Sequence, residues 1–303
     1  MSSQPLRILI TGATGQLGLA FQQHLPAEPF AQTLLINAVS RAACDLSDAN
    51  ACREIVEKWR PDWLINAGAY TAVDRAESEY ELANAVNALA PQAFAKALQS
   101  TGGRLLQIST DFVFAGHQGK PYLPGHLTDP IGVYGITKAA GEAAAAEILD
   151  PERLCIMRTS WLYGPKGKNF LLNLLRLHSF KADAGEALGV VADQIGCPTA
   201  TKSMAAACWA VVERELHGIH HWSDAGVASW YDFAIAIGEL GVANGLLKRA
   251  AMVKPITTAD YPTAAPRPSF SLLDCTDTRK ALHLPACHWR QSLEHVIGEL
   301  KNG

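Results

Sequence analysis

The sequence predicts an α/β protein: a doubly wound parallel sheet joined to a smaller C-terminal α/β region. Three observations carry that expectation. Leu6-Arg-Ile-Leu-Ile10 is a short apolar run that ends directly in a glycine turn, Thr11-Gly12-Ala-Thr-Gly15-Gln16-Leu17-Gly18. A buried strand, a glycine turn and a helix opening at about Gln16 begin a dinucleotide fold, which makes the class Rossmann-type. Short apolar runs then alternate with helical patterns as far as residue 160, the rhythm of a parallel sheet covered on both faces. Beyond that point the character changes, and 303 residues exceed the usual size of one domain. We therefore place an NAD(P)-binding domain at 1–160 and a mainly substrate-binding domain at 161–303, with the later chain crossing back to the first lobe.

The elements follow in order. The glycines permit a tight turn and let a pyrophosphate approach backbone N–H groups at the helix start. Their G-x-x-G-x-x-G spacing is similar to that of the extended short-chain dehydrogenase/reductase superfamily. Leu34 to Val39 reads as the second strand and ends in Ser40-Arg41. An arginine there can pair with the 2′-phosphate of NADP, where an acid would favour NAD. A solvated loop arginine fits Arg41 equally well. Asp45 and Leu46, just beyond, are candidates for the adenine. Ala49 to Trp59 reads as a helix, and Asp62 to Asn66 as a strand that delivers Ala67-Gly68-Ala69-Tyr70-Thr71 to the carboxyl edge, where ligands bind in open α/β sheets. Ala83 to Leu98 is alanine-rich and helical. Arg104 to Ser109 is a strand leading to Thr110-Asp111.

The loop from Gly116 to Pro130 is rich in Gly, Pro and His. Val133 to Leu149 is then a helix that carries Tyr134 and Lys138. Positions four apart share one helix face, so the Lys138 ammonium is expected beneath the Tyr134 phenol, lowering a pKa that is ordinarily about 10. Thr110, at a strand end, can offer a hydroxyl to the same carbonyl oxygen. This set suits a ketone that gains or loses hydride.

In the second half, Cys155 to Arg158 reads as a strand and Asn169-Phe170 enters a Leu-rich helix. Asp193 to Thr199 is turn-rich. His217-Gly-Ile-His220-His221-Trp222 reads as a strand whose adjacent histidines point to opposite sides, so no metal is assigned. Ser229 caps a helix running through Leu240, Pro262 to Pro268 is a loop carrying Arg267, and Leu293 to Leu300 is the last helix.

A net charge of −3 gives no reason to expect nucleic acid or a membrane surface as partner, and an anionic ligand would need a local cluster of cations or N–H groups. The seven cysteines form no C-x-x-C pair and read as reduced thiols of a cytosolic protein. No stretch approaches the ~20 apolar residues of a membrane span, and the run at Leu6–Ile10 is too short for a signal sequence.

With these pieces in order, the chain resembles the dTDP-4-dehydrorhamnose reductase family over essentially its whole length. The resemblance rests on GATGQLG at 12–18, DWLINAGAYTAVD at 62–74, STDFVF at 109–114, VYGITK at 133–138 and RTSWLYG at 158–164. DQIGCPT at 193–199, WYDFA at 230–234 and RPSFSLLD at 267–274 extend it. It implies reduction of a sugar C4 ketone by NADPH, with NADH as an alternative coenzyme. Tyr134 would be the proton donor, Lys138 would hold the coenzyme ribose, and Thr110 would bond the carbonyl oxygen. Asp111 and Trp161 match positions the family uses around the sugar, and Arg267 is the candidate for the diphosphate. Some members form a magnesium-bridged dimer through glutamates, one of them early in the first helix. Leu19-Ala20-Phe21-Gln22 has no carboxylate, so a dimer of that kind is not expected here, while a homodimer of another kind stays open. Two other readings also remain. One is a different nucleotide-sugar ketoreductase or epimerase of the same branch. The other is a non-catalytic NADP-binding regulatory subunit, against which the intact Thr110, Tyr134 and Lys138 set argues.

Overall fold

Alternating apolar residues in the first strands have to be covered on both sides, and the computed structural model, which describes residues 4–302, shows how. Six strands form one parallel sheet: Leu6–Thr11 (β1), Leu34–Val39 (β2), Trp63–Asn66 (β3), Arg104–Thr110 (β4), Leu154–Thr159 (β5) and Gly218–Trp222, the tenth strand of the chain (β10). Their order across the sheet is β10-β5-β4-β3-β1-β2. Ile8, Ile10, Trp63, Ile65, Leu106 and Met157 face one apolar layer, and Leu9, Leu64, Leu105 and Ile156 face the other. Period-two alternation with both faces apolar is the mark of a parallel sheet buried between helices.

Three short ladders lie outside the main sheet. Leu162–Tyr163 (β6) pairs with Thr199–Ala200 (β9), Leu188–Val191 (β7) with Val253–Ile256 (β12), and Ile195–Gly196 (β8) with Ala228–Ser229 (β11). The helices are Gln16–Gln23 (α1), Ala49–Trp59 (α2), Val73–Ala76 (α3), Tyr80–Asn84 (α4), Ala90–Thr101 (α5), Val133–Ile148 (α6), Phe170–Ala184 (α7), Thr201–Glu213 (α8), Trp230–Ala243 (α9), Thr276–Leu282 (α10) and Trp289–Asn302 (α11). Helices α1 and α8 cover one face, where the Phe21 ring meets Trp209 edge-on at 5.6 Å. Helices α2 and α5 cover the other through Val56, Phe94 and Leu98. The second half builds its own core from Leu171, Leu174, Phe233, Ile237 and Leu293, while β10 returns to the main sheet and pairs with β5. No helix among the described residues is long and apolar enough to cross a membrane. All seven cysteines are free thiols, six of them buried.

Several elements differ from the sequence expectation. The alanine-rich stretch is not one helix: α4 passes through a π-helical turn at Ala85–Leu89 before α5. Pro91 is the cause, because it lacks an N–H and its ring crowds the carbonyl four residues back. The last helix begins at Trp289 rather than Leu293. α10 and the β7–β12 pair carry no periodic signal long enough to be read. The expected cap at Ser229 is a full capping box, with Ser229 and Asp232 bonding each other's backbone.

Three polar side chains tie the carboxyl ends of adjacent strands together. Thr11 Oγ1 donates to Asn66 Oδ1 at 2.6 Å, and Asn66 Nδ2 donates to Gln107 Oε1 at 2.9 Å. Above them the glycine turn folds so tightly that a Cβ on Gly18 would lie 2.1 Å from the Gly12 carbonyl oxygen. Gly18→Ala is therefore expected to destabilise the protein by ~1–3 kcal/mol of overpacking. That corresponds to a thermal midpoint lower by about 2–4 °C per kcal/mol. An unchanged melting curve would contradict this packing.

Candidate active site

The carboxyl edge of the sheet opens into a cleft of about 730 Å³. Gly12, Gly15, Gln16 and Leu17 line one end, Ala69 and Thr71 the side, and Thr110, Asp111, Tyr134, Lys138, Trp161 and Arg267 the remainder. Five other residues singled out from the sequence lie off its wall. Gly18 serves helix packing. The Leu46 side chain packs behind Gly68. Tyr70 turns its hydroxyl to Glu79, while its backbone N–H donates to Asn87 Oδ1 at 2.9 Å. Arg41 and Asp45 pair with each other on the surface at 3.2 Å, with the Arg41 side chain 75% exposed. Backbone and side-chain hydrogen bonds from Ser47, helped by Arg41, hold the Asp45 carboxyl below its usual range.

The residues that the sequence singles out for chemistry come together where α6 meets β4. Thr110 Oγ1 accepts from the Phe112 N–H at 3.2 Å and lies 3.1 Å from Asp111 Oδ1. The Tyr134 ring keeps one edge open to the cleft and is otherwise surrounded by protein, including Phe112 at 5.6 Å. That desolvation pushes the phenol up to about 12, against the pull of the Thr110 hydroxyl, and the Asp111 charge adds to the rise. The direction is opposite to the one expected from helical spacing. Lys138 instead donates to the Ile108 carbonyl at 2.7 Å. Burial brings its ammonium down to about 8, while Glu142 opposes the fall.

Asp111 is 1% exposed, and its Oδ2 is a buried oxygen without a hydrogen-bond partner that meets the usual distance and angle criteria. Burial raises its carboxyl to about 6, against hydrogen bonds that pull it down. An acceptor held in that state at the cleft wall is suited to a substrate hydroxyl.

Trp161 adopts φ +46°, a conformation that costs a non-glycine residue ~1–3 kcal/mol. It is held by the Thr199 N–H, which donates to its carbonyl at 3.2 Å, and by stacking on Trp230 at 3.6 Å and 8°. Trp230 also lines the cleft, as do Lys168 and Asn66. The sequence placed Trp230 in the first turn of a capped helix and in the WYDFA motif at 230–234, with no place in the cleft, and assigned Lys168 no role. The Gln16 amide reaches across the lobes, 3.3 Å from the Leu162 carbonyl and 3.4 Å from Asn169.

Arg267 meets Asp74 in a two-pronged pair at 3.0 and 2.9 Å, and the guanidinium holds the Asp74 carboxyl below its usual range. A second pocket, of about 370 Å³, adjoins the first and shares Trp230 and Arg267 with it. Its other walls include Leu174, Leu177, Val190 and Tyr261. Lys138 and Lys168 line the main cleft together with Arg267, whose charge is matched by Asp74, and with the Asp111 carboxyl.

The family model described as the RmlD substrate binding domain matches residues 6–302. A dTDP-4-dehydrorhamnose reductase from Aggregatibacter actinomycetemcomitans is 38% identical, with 96% of this chain and 98% of the relative covered. The chain belongs to the dTDP-4-dehydrorhamnose reductase family. A reductase of that name from Streptomyces griseus is 40% identical over 95% of this chain and 91% of its own. Among solved structures, the Bacillus anthracis dTDP-4-dehydrorhamnose reductase in complex with NADP superposes with a TM-score of 0.87 at 33% identity, covering 98% of this chain and all of that one. A Thermus thermophilus UDP-glucose 4-epimerase in complex with NAD shares the fold at a TM-score of 0.78 and 17% identity.

A carboxyl raised to about 6 in the fold favours its protonated form there. The stability associated with it is complete below the ordinary pKa of about 4 and is lost as pH rises through 6. Asp111→Asn is accordingly expected to be more stable than the parent at pH 7.5, by on the order of 2 kcal/mol, with the gain vanishing near pH 4. Thermal melts across that range test it, and a pH-independent difference would contradict it.

Proposed function

We propose that the protein reduces the C4 ketone of dTDP-4-dehydro-L-rhamnose to dTDP-L-rhamnose with NADPH, accepting NADH less well. The observation that carries the reading is the meeting of Thr110, Tyr134 and Lys138 in the cleft that the glycine turn opens. Family membership and the NADP complex of the Bacillus anthracis relative support it. The residues fit a dinucleotide: at the turn only glycine clears the packed backbone, N–H groups crowd a helix start, and cations line the cleft. In this reading residues 1–160 hold mainly the coenzyme and 161–303 mainly the sugar nucleotide, in a cytoplasmic setting. The second pocket takes the nucleoside, and Arg267 lies where the diphosphate would cross between the two pockets.

When bound, the reduced nicotinamide supplies the hydride. As negative charge develops on the ketone oxygen, Tyr134 transfers its phenolic proton to it. A phenol raised to about 12 stays protonated at neutral pH yet is a far stronger acid than the sugar alcohol being formed, so the transfer runs downhill. Thr110 bonds the same oxygen, and the Lys138 charge, one helical turn away, stabilises the phenolate left behind. That phenolate regains its proton from water, which balances the reaction. Asp111 and Trp161 orient the sugar ring.

Tyr134→Phe is expected to lower kcat by about 10²–10⁴-fold with NADPH binding retained, as measured by loss of NADPH absorbance with the 4-keto sugar nucleotide generated in place. A folded, NADPH-binding parent protein without turnover would contradict the assignment. Arg41→Ala is expected to raise the KM for NADPH about tenfold, since one charge-assisted phosphate contact is worth ~1.5–3 kcal/mol less what its pairing with Asp45 takes back. The KM for NADH should hardly move. Equal effects on both coenzymes would remove Arg41 from the 2′-phosphate.

A further inference from the structure

One helical turn beyond Lys138, Glu142 lies on the same face of α6, buried against β4 and β5. Its carboxylate is fixed from two sides. Arg158 Nε approaches both oxygens at 3.0 and 3.1 Å, and Nη2 donates to Oε2 at 2.6 Å. Ser109 Oγ donates to Oε1. Arg158 is in turn pinned, with Nη1 on the Pro124 carbonyl at 3.2 Å and its guanidinium 5.1 Å from the centre of the Phe114 ring. Lys138, Glu142, Arg158 and Ser109 are each 5% exposed or less. This buried group therefore holds two cations and one carboxylate. Arg158 keeps its charge under any condition, so Lys138 is the cation whose charge depends on the shared anion.

We propose that Glu142 is a positioning residue for the reduction: held rigid by Arg158 and Ser109, it is the counter-ion that keeps the Lys138 ammonium charged and docked on the Ile108 carbonyl. The role rests on the reading of Lys138 as part of the reductase site. The geometry is specific, because a buried ammonium without an opposite charge within one turn sheds its proton rather than bear the desolvation. Burial already brings Lys138 down to about 8, and Glu142 is the group that opposes it.

On α6 itself, Tyr134 is neutral. Asp111 at the end of β4 stands beside Thr110. On β10, burial and the Arg158 charge push His221 down to about 3, so it is uncharged. Asp274 interacts with His221 and accepts from the Thr276 N–H at 2.8 Å. On the opposite side of α6, α5 carries only the exposed Lys96, and the π-helical turn presents Asn87. In α3 and α4, Asp74 is paired with Arg267, Arg75 is paired with Glu79, and Tyr80 and Glu81 are exposed. At the first turn of α6, Glu77 accepts from the Val133 N–H.

The test titrates Lys138 in the coenzyme-free protein. Lysine ε-¹³C NMR follows its ammonium, with Lys138→Arg identifying the resonance, alongside pH–kcat profiles. In the parent, the midpoint is expected near 8, with an alkaline limb in kcat to match. In Glu142→Gln the side-chain shape stays but the charge goes. The NMR midpoint and the limb should both move at least one pH unit toward acid, a tenfold fall in the ratio of charged to neutral Lys138. In Glu142→Asp the carboxylate returns one methylene further back, and both quantities should fall between the other two. A purely structural ion pair would lower Tm and kcat at every pH and leave the midpoint in place, which would overturn the proposal. If Glu142→Gln does not fold, Glu142→Asp decides alone, and a Lys138 midpoint equal to the parent's overturns the role. The NMR titration is independent of turnover. A shifted midpoint in a protein that reduces no ketone would therefore keep the electrostatic pairing and sink the reductase reading instead.

Discussion

The structure depends on how closely α6 lies against its surroundings. A Cβ at Gly135 would fall 2.2 Å from the Phe112 carbonyl oxygen, and one at Gly141 would fall 2.1 Å from the Asn87 carbonyl oxygen. Only hydrogen fits at either point. That approach forces Lys138 and Glu142, on one helix face, into the interior, where each must be neutralised or bonded. It also sets Tyr134 at the strand end beside Thr110. The Asn87 amide is part of the same arrangement: the π-helical turn that precedes Pro91 aims it at Tyr70, where it bonds the backbone N–H and carbonyl, and at Thr137 of α6. The cleft loop and α6 are thus fastened through one side chain.

Burial then sets the electrostatics of the site. It raises the Tyr134 phenol and the Asp111 carboxyl and lowers the Lys138 ammonium, each toward the uncharged form. Such a site is costly to fold and useful for chemistry. In the proposed reaction Tyr134 stays protonated until charge appears on the substrate, and fixed dipoles and cations meet that charge without reorganising. Trp161, with its strained backbone and its stack on Trp230, is a second place where stability is given up for the shape of the cleft.

Much of this was legible in the sequence, for physical reasons. Strands buried on both faces read as short apolar runs, so β1 to β5 were found to within one or two residues, and helix α2 coincided with its pattern. The grouping of Thr110, Tyr134 and Lys138 in one cleft was legible because Tyr134 and Lys138 share a helix face and Thr110 ends a strand. The sign of the Tyr134 shift was not, since spacing says which groups are near each other and nothing about how dry they are. The π-helical turn was missed because Pro91 lies within an alanine-rich stretch whose periodicity continues across it. Trp230 and Gln16 act through contacts more than 60 residues away in sequence, Trp230 with Trp161 and Gln16 with Leu162 and Asn169, and local patterns carry no signal for such contacts. The ring of residues around Lys138 was likewise assembled only by folding: Glu142 reads in isolation as a solvated acid on an alanine-rich helix.

The central claim is that this cleft delivers hydride to a sugar C4 ketone while Tyr134 delivers the proton. NADPH deuterated at nicotinamide C4, supplied in separate reactions with the label on each face, tests it most directly when the product is read by NMR. One of the two labelled coenzymes should place deuterium at C4 of the sugar, in stoichiometric amount. Product without deuterium from either coenzyme, or deuterium at another ring carbon, would contradict the account.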